Sequence, residues 1–113
     1  MKKFAFVSAA AEREYRKLPK DVQQEFGVSL RALQVNTSPF LSIKPLKSIG
    51  ASVFELIING SPAYRCVYVV KYLDTVFVLH SFDKTCNGVD RQAMATAKAR
   101  YKELMEGIRL STK

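Results

Sequence analysis

From Ser52 to Thr85 the chain reads SVFELIINGSPAYRCVYVVKYLDTVFVLHSFDKT, apolar almost throughout and interrupted at two points. Asn59-Gly60, lengthened by Ser61-Pro62, is a hairpin signal, and a second turn falls near Leu73-Asp74. This pattern predicts three strands, over 53–58, 63–72 and 75–82. The connections are too short for parallel crossovers, so an antiparallel meander is expected. Period-two alternation sets Arg65 on one face with Val67, Val69 and Lys71, and Tyr64, Cys66, Tyr68 and Val70 on the other. On the last strand it groups Val76, Val78, His80 and Phe82. Both faces are largely apolar, and helices are expected to cover much of each.

Ahead of this stretch, alternation around Phe4 and Phe6 predicts a short first strand. Ser8 is a helix cap, and Ala11, Tyr15 and Leu18 share one face of a helix over 9–18. Pro19 ends it or opens the next, because proline is tolerated in a first turn but not in an interior. A second helix follows over 20–35, with Val22, Phe26, Leu30 and Leu33 at helical spacing. Gly27 within it costs about 1 kcal/mol relative to alanine, which argues for close packing there. Residues 36–39 form a loop, and residues 43–48, IKPLKS, an extended segment that Pro45 restricts to a sheet edge. Lys44 and Lys47 are thereby set on a rim, and Gly50 turns the chain. After Asn87-Gly88, Asp90 caps a last helix over 90–106. Met94, Ala97, Tyr101, Leu104 and Ile108 make its apolar stripe, and Gly107 is read as its stop.

The 113 residues suit one domain spanning 1–113, with apolar (48%) and charged (25%) fractions of an ordinary globular protein. No apolar run reaches membrane-spanning length. The start, MKKFAFVSAAAERE, has the lysines and alanines of a weak signal peptide, but Ser8, Glu12 and Glu14 interrupt it. A cytoplasmic protein is therefore expected. Cys66 reads as a small core residue and Cys86 as a free thiol in a polar loop, without metal-ligand spacing. The net charge of +8 changes the picture most: a small basic domain tends to meet nucleic acid, an anionic membrane or an acidic protein, although a solvated, lysine-rich surface accounts for the composition about as well.

Familiar catalytic constellations are missing from the sequence: no Gly-rich phosphate loop, no metal-ligand cluster, no serine in a nucleophile elbow. A single histidine, His80, cannot supply both acid and base, and on an apolar strand it fits a core role as well as a catalytic one. An arginine on an apolar strand needs either a buried acid such as Glu55 or an anion from outside. Lys44, Lys47, Arg65 and Lys84 form a cationic set that could grip a phosphodiester backbone. It could also stabilise the charge that develops when a ribose 2′-hydroxyl attacks the adjacent phosphate, a reaction that rests on positioning and electrostatics.

The order helix–LP–helix ending in LRALQ, then KPL, FEL, YRCVYVV and VFVLHSFDK resembles the phage-derived branch of RelE/HigB-like toxins, over roughly residues 13–105. The resemblance implies an α+β fold: two N-terminal helices on a curved, mainly antiparallel sheet of four to five strands, plus a C-terminal helix. It implies a type II toxin that cleaves mRNA on the translating ribosome without metal or small-molecule cofactor, silenced by a cognate helix-turn-helix antitoxin. By position, Arg65 is implied to contact the scissile phosphate and Lys84 to be a second stabiliser or proton donor. His80 is a further acid/base candidate, and Lys44, Lys47 and Lys71 are expected to hold RNA backbone. Two positions depart from the family pattern. Ile57 stands where a basic residue often follows Glu-Leu, and Lys84 is followed by Thr85 where paired lysines are frequent. The fold is also shared with gyrase-poisoning relatives, so a non-nuclease toxin-fold protein, including a degenerate antitoxin-binding module, is the alternative.

Overall fold

The computed structural model describes residues 1–111. In chain order the elements are β1 (Lys3–Phe6), α1 (Ala9–Arg16), α2 (Lys20–Gln34), β2 (Ser42–Pro45), β3 (Val53–Ile58), β4 (Ala63–Val69), β5 (Thr75–Lys84) and α3 (Arg91–Ser111). The strands form one sheet in the order β1-β5-β4-β3-β2. β2 through β5 pair antiparallel, as the short connections require, and β1 runs parallel to β5 at the far edge. The expected α+β architecture is thus present, with three helices and five strands.

Local chemistry explains the helix boundaries. Ser8 takes an extended backbone and its hydroxyl accepts from the Ala11 N–H, satisfying one orphan donor of α1. Pro19 precedes the first residue of α2, where its missing N–H costs nothing. The Asp90 carboxylate accepts from the Ala93 N–H at 3.0 Å and starts α3. Gly107 does not end α3, which runs on to Ser111. A glycine in an exposed helical turn costs about 1 kcal/mol, and nothing at Gly107 requires the left-handed conformation that makes glycine a stop.

The sheet divides two cores. Val22, Phe26 and Leu30 of α2, with Leu18 of the α1–α2 connection, pack on Leu56, Cys66, Tyr68, Val76 and Val78. On the other face Leu46, Ile49, Val53, Val67, Val69 and Leu79 pack with Ala97 of α3 and its half-buried Met94, Tyr101 and Leu104. The alternation on β4 therefore divides as its sequence predicts. Helix α3 can lie close because Gly50 has no side chain: a Cβ there would stand 2.8 Å from the Tyr101 ring. At Gly27 a Cβ would meet the Tyr15 hydroxyl at 3.4 Å, the close packing expected of that glycine.

Strand lengths differ from the sequence pattern at both ends of the last hairpin. β4 stops at Val69, because Leu73 and Asp74 both adopt positive φ and Thr75 N–H closes a tight turn on the Tyr72 carbonyl. β5 continues to Lys84, which pairs with Ala63, so Lys84 lies within the strand and not beyond its end.

A larger difference sits in the middle of β5. Val67 pairs with His80 while Tyr68 pairs with Val78, so Leu79 is an extra residue, a bulge. Before it, Val78 faces α2; after it, His80 and Phe82 share the face of Val67 and Arg65, their partners on β4. The expected grouping of Val76 and Val78 with His80 and Phe82 is therefore wrong. Strict alternation cannot register an inserted residue, and the bulge inverts the face of every position after it.

Candidate functional site: a cationic groove on the α3 side of the sheet

Register builds the site. On the α3 face, Lys44 of β2 lies opposite Glu55 of β3, and Ile57 lies opposite Arg65 of β4, which pairs in turn with Phe82 of β5. Beyond the end of α3 this face is uncovered. A groove of about 700 Å³ opens there, floored by Glu55, Ile57, Arg65 and Phe82 and rimmed by Lys44, Lys47 and Lys84. Asp90 and Met94, at the start of α3, close one end.

Arg65 is largely covered, its side chain 12% accessible, whereas Lys44 and Lys47 are exposed. Its Nη1 donates to the Tyr64 carbonyl at 3.1 Å and more weakly to that of Ile58 at 3.4 Å, which aims the guanidinium along the groove floor. Nε stands 3.7 Å from Glu55 Oε1, an ion pair without a hydrogen bond. Both answers to the arginine's presence on an apolar strand apply: a buried acid accompanies it, and it faces open space. Burial pushes the Glu55 carboxyl above its usual range, against the pull of Arg65, Lys44 and Lys84. Lys84 donates to the Cys86 carbonyl at 3.1 Å, tying the end of β5 to the following loop.

His80 lies outside this groove. Its ring stacks on Phe82 with centroids 5.0 Å apart, and its Nδ1 contacts Glu14 of α1 at 2.8 Å. A carboxylate only accepts, so Nδ1 carries the proton and donates. Arg100 of α3 grips the same carboxylate with both terminal nitrogens, at 2.6 and 2.9 Å, and donates to the Leu79 carbonyl at 3.0 Å. Burial alone would raise the Glu14 pKa, but the hydrogen bonds and charges of Arg100 and His80 outweigh it and hold the carboxyl below its ordinary value. This cluster ties α1, β5 and α3 together at the bulge.

Lys71 is also elsewhere. It follows β4 at the opposite end from Arg65, roughly 20 Å away at 3.3 Å per residue. Its ammonium lies over the Tyr72 ring, 5.7 Å from the centroid. Of the cationic residues singled out in the sequence, the fold gathers Lys44, Lys47, Arg65 and Lys84 and separates His80 and Lys71. Glu55 is the groove residue whose position sequence reasoning used only as a counter-ion. Period-two spacing from Ile57 was the available signal for its facing the groove.

Of the two departures from the family pattern, Ile57 lines the groove and Thr85 does not. Cys66 is buried, its thiol pushed up to about 12 by burial, and Cys86 is exposed, both as free thiols. Among the described residues no group of three or more His, Cys, Asp or Glu is arranged to hold a metal ion, and no helix is long and apolar enough to cross a membrane.

A family model described as phage-derived protein Gp49-like (DUF891) matches residues 13–102, from α1 into α3 and including every residue of the groove. No curated protein matches the chain.

Proposed function

The chain belongs to the phage-derived Gp49-like family, a toxin-like family of RelE type, and from that membership and the groove we propose that it is the toxin of a type II toxin–antitoxin pair. In this proposal it is a metal-independent endonuclease that cuts mRNA on translating ribosomes in the cytoplasm, and a cognate helix-turn-helix antitoxin silences it. The observation that carries the proposal is the convergence of Lys44, Lys47, Arg65 and Lys84 from three strands and one loop onto one groove. Lys44 and Lys47 on the exposed rim supply charge for successive phosphates, while Arg65, fixed by backbone carbonyls, supplies a rigid one. A phosphate held beside Arg65 would gain most as negative charge builds on its oxygens, the condition for accelerating attack by the neighbouring 2′-hydroxyl. Lys84, at the end of β5, is the second stabiliser or the donor to the leaving 5′-oxygen.

Induction of the chain alone, followed by mapping of new RNA 5′ ends, tests this proposal. Cuts within translated frames are expected, and they should disappear with Arg65→Ala. A folded Arg65→Ala variant as growth-inhibitory as the parent would overturn it. The second reading, a toxin-fold protein that poisons gyrase or only binds its antitoxin, is favoured by the apolar Ile57 on the groove floor, where a second fixed cation is absent. Growth arrest with intact mRNA would support a gyrase-type target, and no arrest would support a degenerate binding module.

A further inference from the structure

Glu55 is an expensive residue to bury. Its side chain is 8% accessible, on a strand between Lys44 and Val67, and among the described residues neither carboxylate oxygen receives a hydrogen bond. A buried carboxylate retained for stability is ordinarily paired closely and hydrogen-bonded, as Glu14 is by Arg100. The nearest cation to Glu55 stays at 3.7 Å. The groove's other carboxylate, Asp90, is committed to capping α3. His80 directs its Nδ1 proton at Glu14 behind the Phe82 ring. Glu55 is thus the groove base whose lone pairs are unclaimed.

We propose that Glu55 is the proton acceptor of the cleavage step, positioned by the same strand register that sets Arg65 beside it. This rests on the nuclease reading of the groove. The 2′-hydroxyl oxygen attacks the adjacent phosphorus and its proton passes to the Glu55 carboxylate. The bond from phosphorus to the 5′-oxygen breaks, and that oxygen takes a proton from the Lys84 ammonium. The products are a 2′,3′-cyclic phosphate and a 5′-hydroxyl, and a proton returned from Glu55 to Lys84 through solvent resets the site. Burial supports the role, since a carboxyl held above its usual range is a stronger base than one in water. The charged groups that face it are Lys44 from β2, Arg65 from β4 and Lys84 from β5, and all three keep it from rising further.

The test is single-turnover cleavage of mRNA on programmed ribosomes from about pH 5 to about pH 9, for the parent, Glu55→Gln and Glu55→Asp. Binding of an RNA carrying a 2′-deoxy nucleotide at the cut site is measured alongside. The parent rate should rise from acid and level off. Glu55→Gln should lose roughly 100-fold or more in rate together with the acidic limb, while binding the deoxy RNA at least as tightly. Glu55→Asp should retain the limb at an intermediate rate. Glu55→Gln cutting at the parent rate, or keeping the acidic limb, would overturn the proposal. If Glu55→Gln does not fold, Glu55→Asp and formate rescue of Glu55→Ala decide: a rate set by added carboxylate supports the role, and no rescue with intact RNA binding removes it. A parent that binds RNA but never cuts it would instead overturn the nuclease reading itself.

Discussion

Arg65 shows how far a single residue can be read from sequence. Its strand, its face and its acidic companion all follow from alternation and from the cost of burying a guanidinium, and the register bears each out. His80 shows where that reasoning fails. The residue pattern around it is regular, and nothing in LHSF announces the inserted Leu79 that turns the imidazole away from Val78 and toward the Glu14 cluster. Ile57 is the most informative position to change. It faces Arg65 across the β3–β4 ladder and lines the groove, so Ile57→Arg would add a second fixed cation at the floor. Affinity for single-stranded RNA should rise several-fold at about 0.1 M salt, and the dependence of log affinity on log salt should steepen by about 0.7, the increment for one more phosphate contact. Filter binding across a salt series reads both. An unchanged slope would mean that backbone does not run along this floor.

At the scale of elements, capping and helical spacing located all three helices, and turn residues located the meander. Their ends were harder to see. α3 passes through Gly107 because its packed half secures the helix, and β5 gains two residues because ladder bonds to β4 continue past the last apolar position. The Glu14–Arg100–His80 cluster depends on long-range proximity and left no local signal, since its members come from three separate elements. Glu14→Gln should destabilise the fold by about 2 kcal/mol at pH 7, because it removes the charge from a partly buried, multiply bonded acceptor. Glu14 titrates below its ordinary value in the folded chain, so its contribution is complete above about pH 4.5 and is lost as pH falls through the folded value. Urea unfolding of parent and variant should therefore converge as pH falls below the folded value. Glu55 has the opposite sign: its raised value favours the folded state in acid and works against it as the carboxyl ionises.

For the molecule as a whole, the net charge of +8 suited an acidic partner as well as a merely lysine-rich solvated surface, and it said nothing of where a partner would bind. The fold resolves part of that charge into a groove on one side of the sheet, with α1 and α2 on the other. Binding of single-stranded RNA through the four groove cations should weaken with a log–log salt slope of roughly −3. Lys44→Ala and Lys47→Ala should each make the slope shallower, whereas Lys71→Ala, at the far end of β4, should leave it unchanged. Equal effects at all three lysines would point to diffuse attraction by the whole surface. The parallel pairing of β1 with β5 has a further consequence, in the time order of synthesis. Phe4 is made long before its partner, Val76, which follows only after β2, β3 and β4 have been translated. Glu14 likewise waits for Arg100. β1 and α1 thus wait for partners made much later, and a nascent chain released before α3 lacks both the clamp on α1 and one end of the groove. A copy that stops before α3 would be left with its N-terminal helices unclamped and its groove open at one end, so such a truncation should abolish RNA binding by the groove and not merely weaken it.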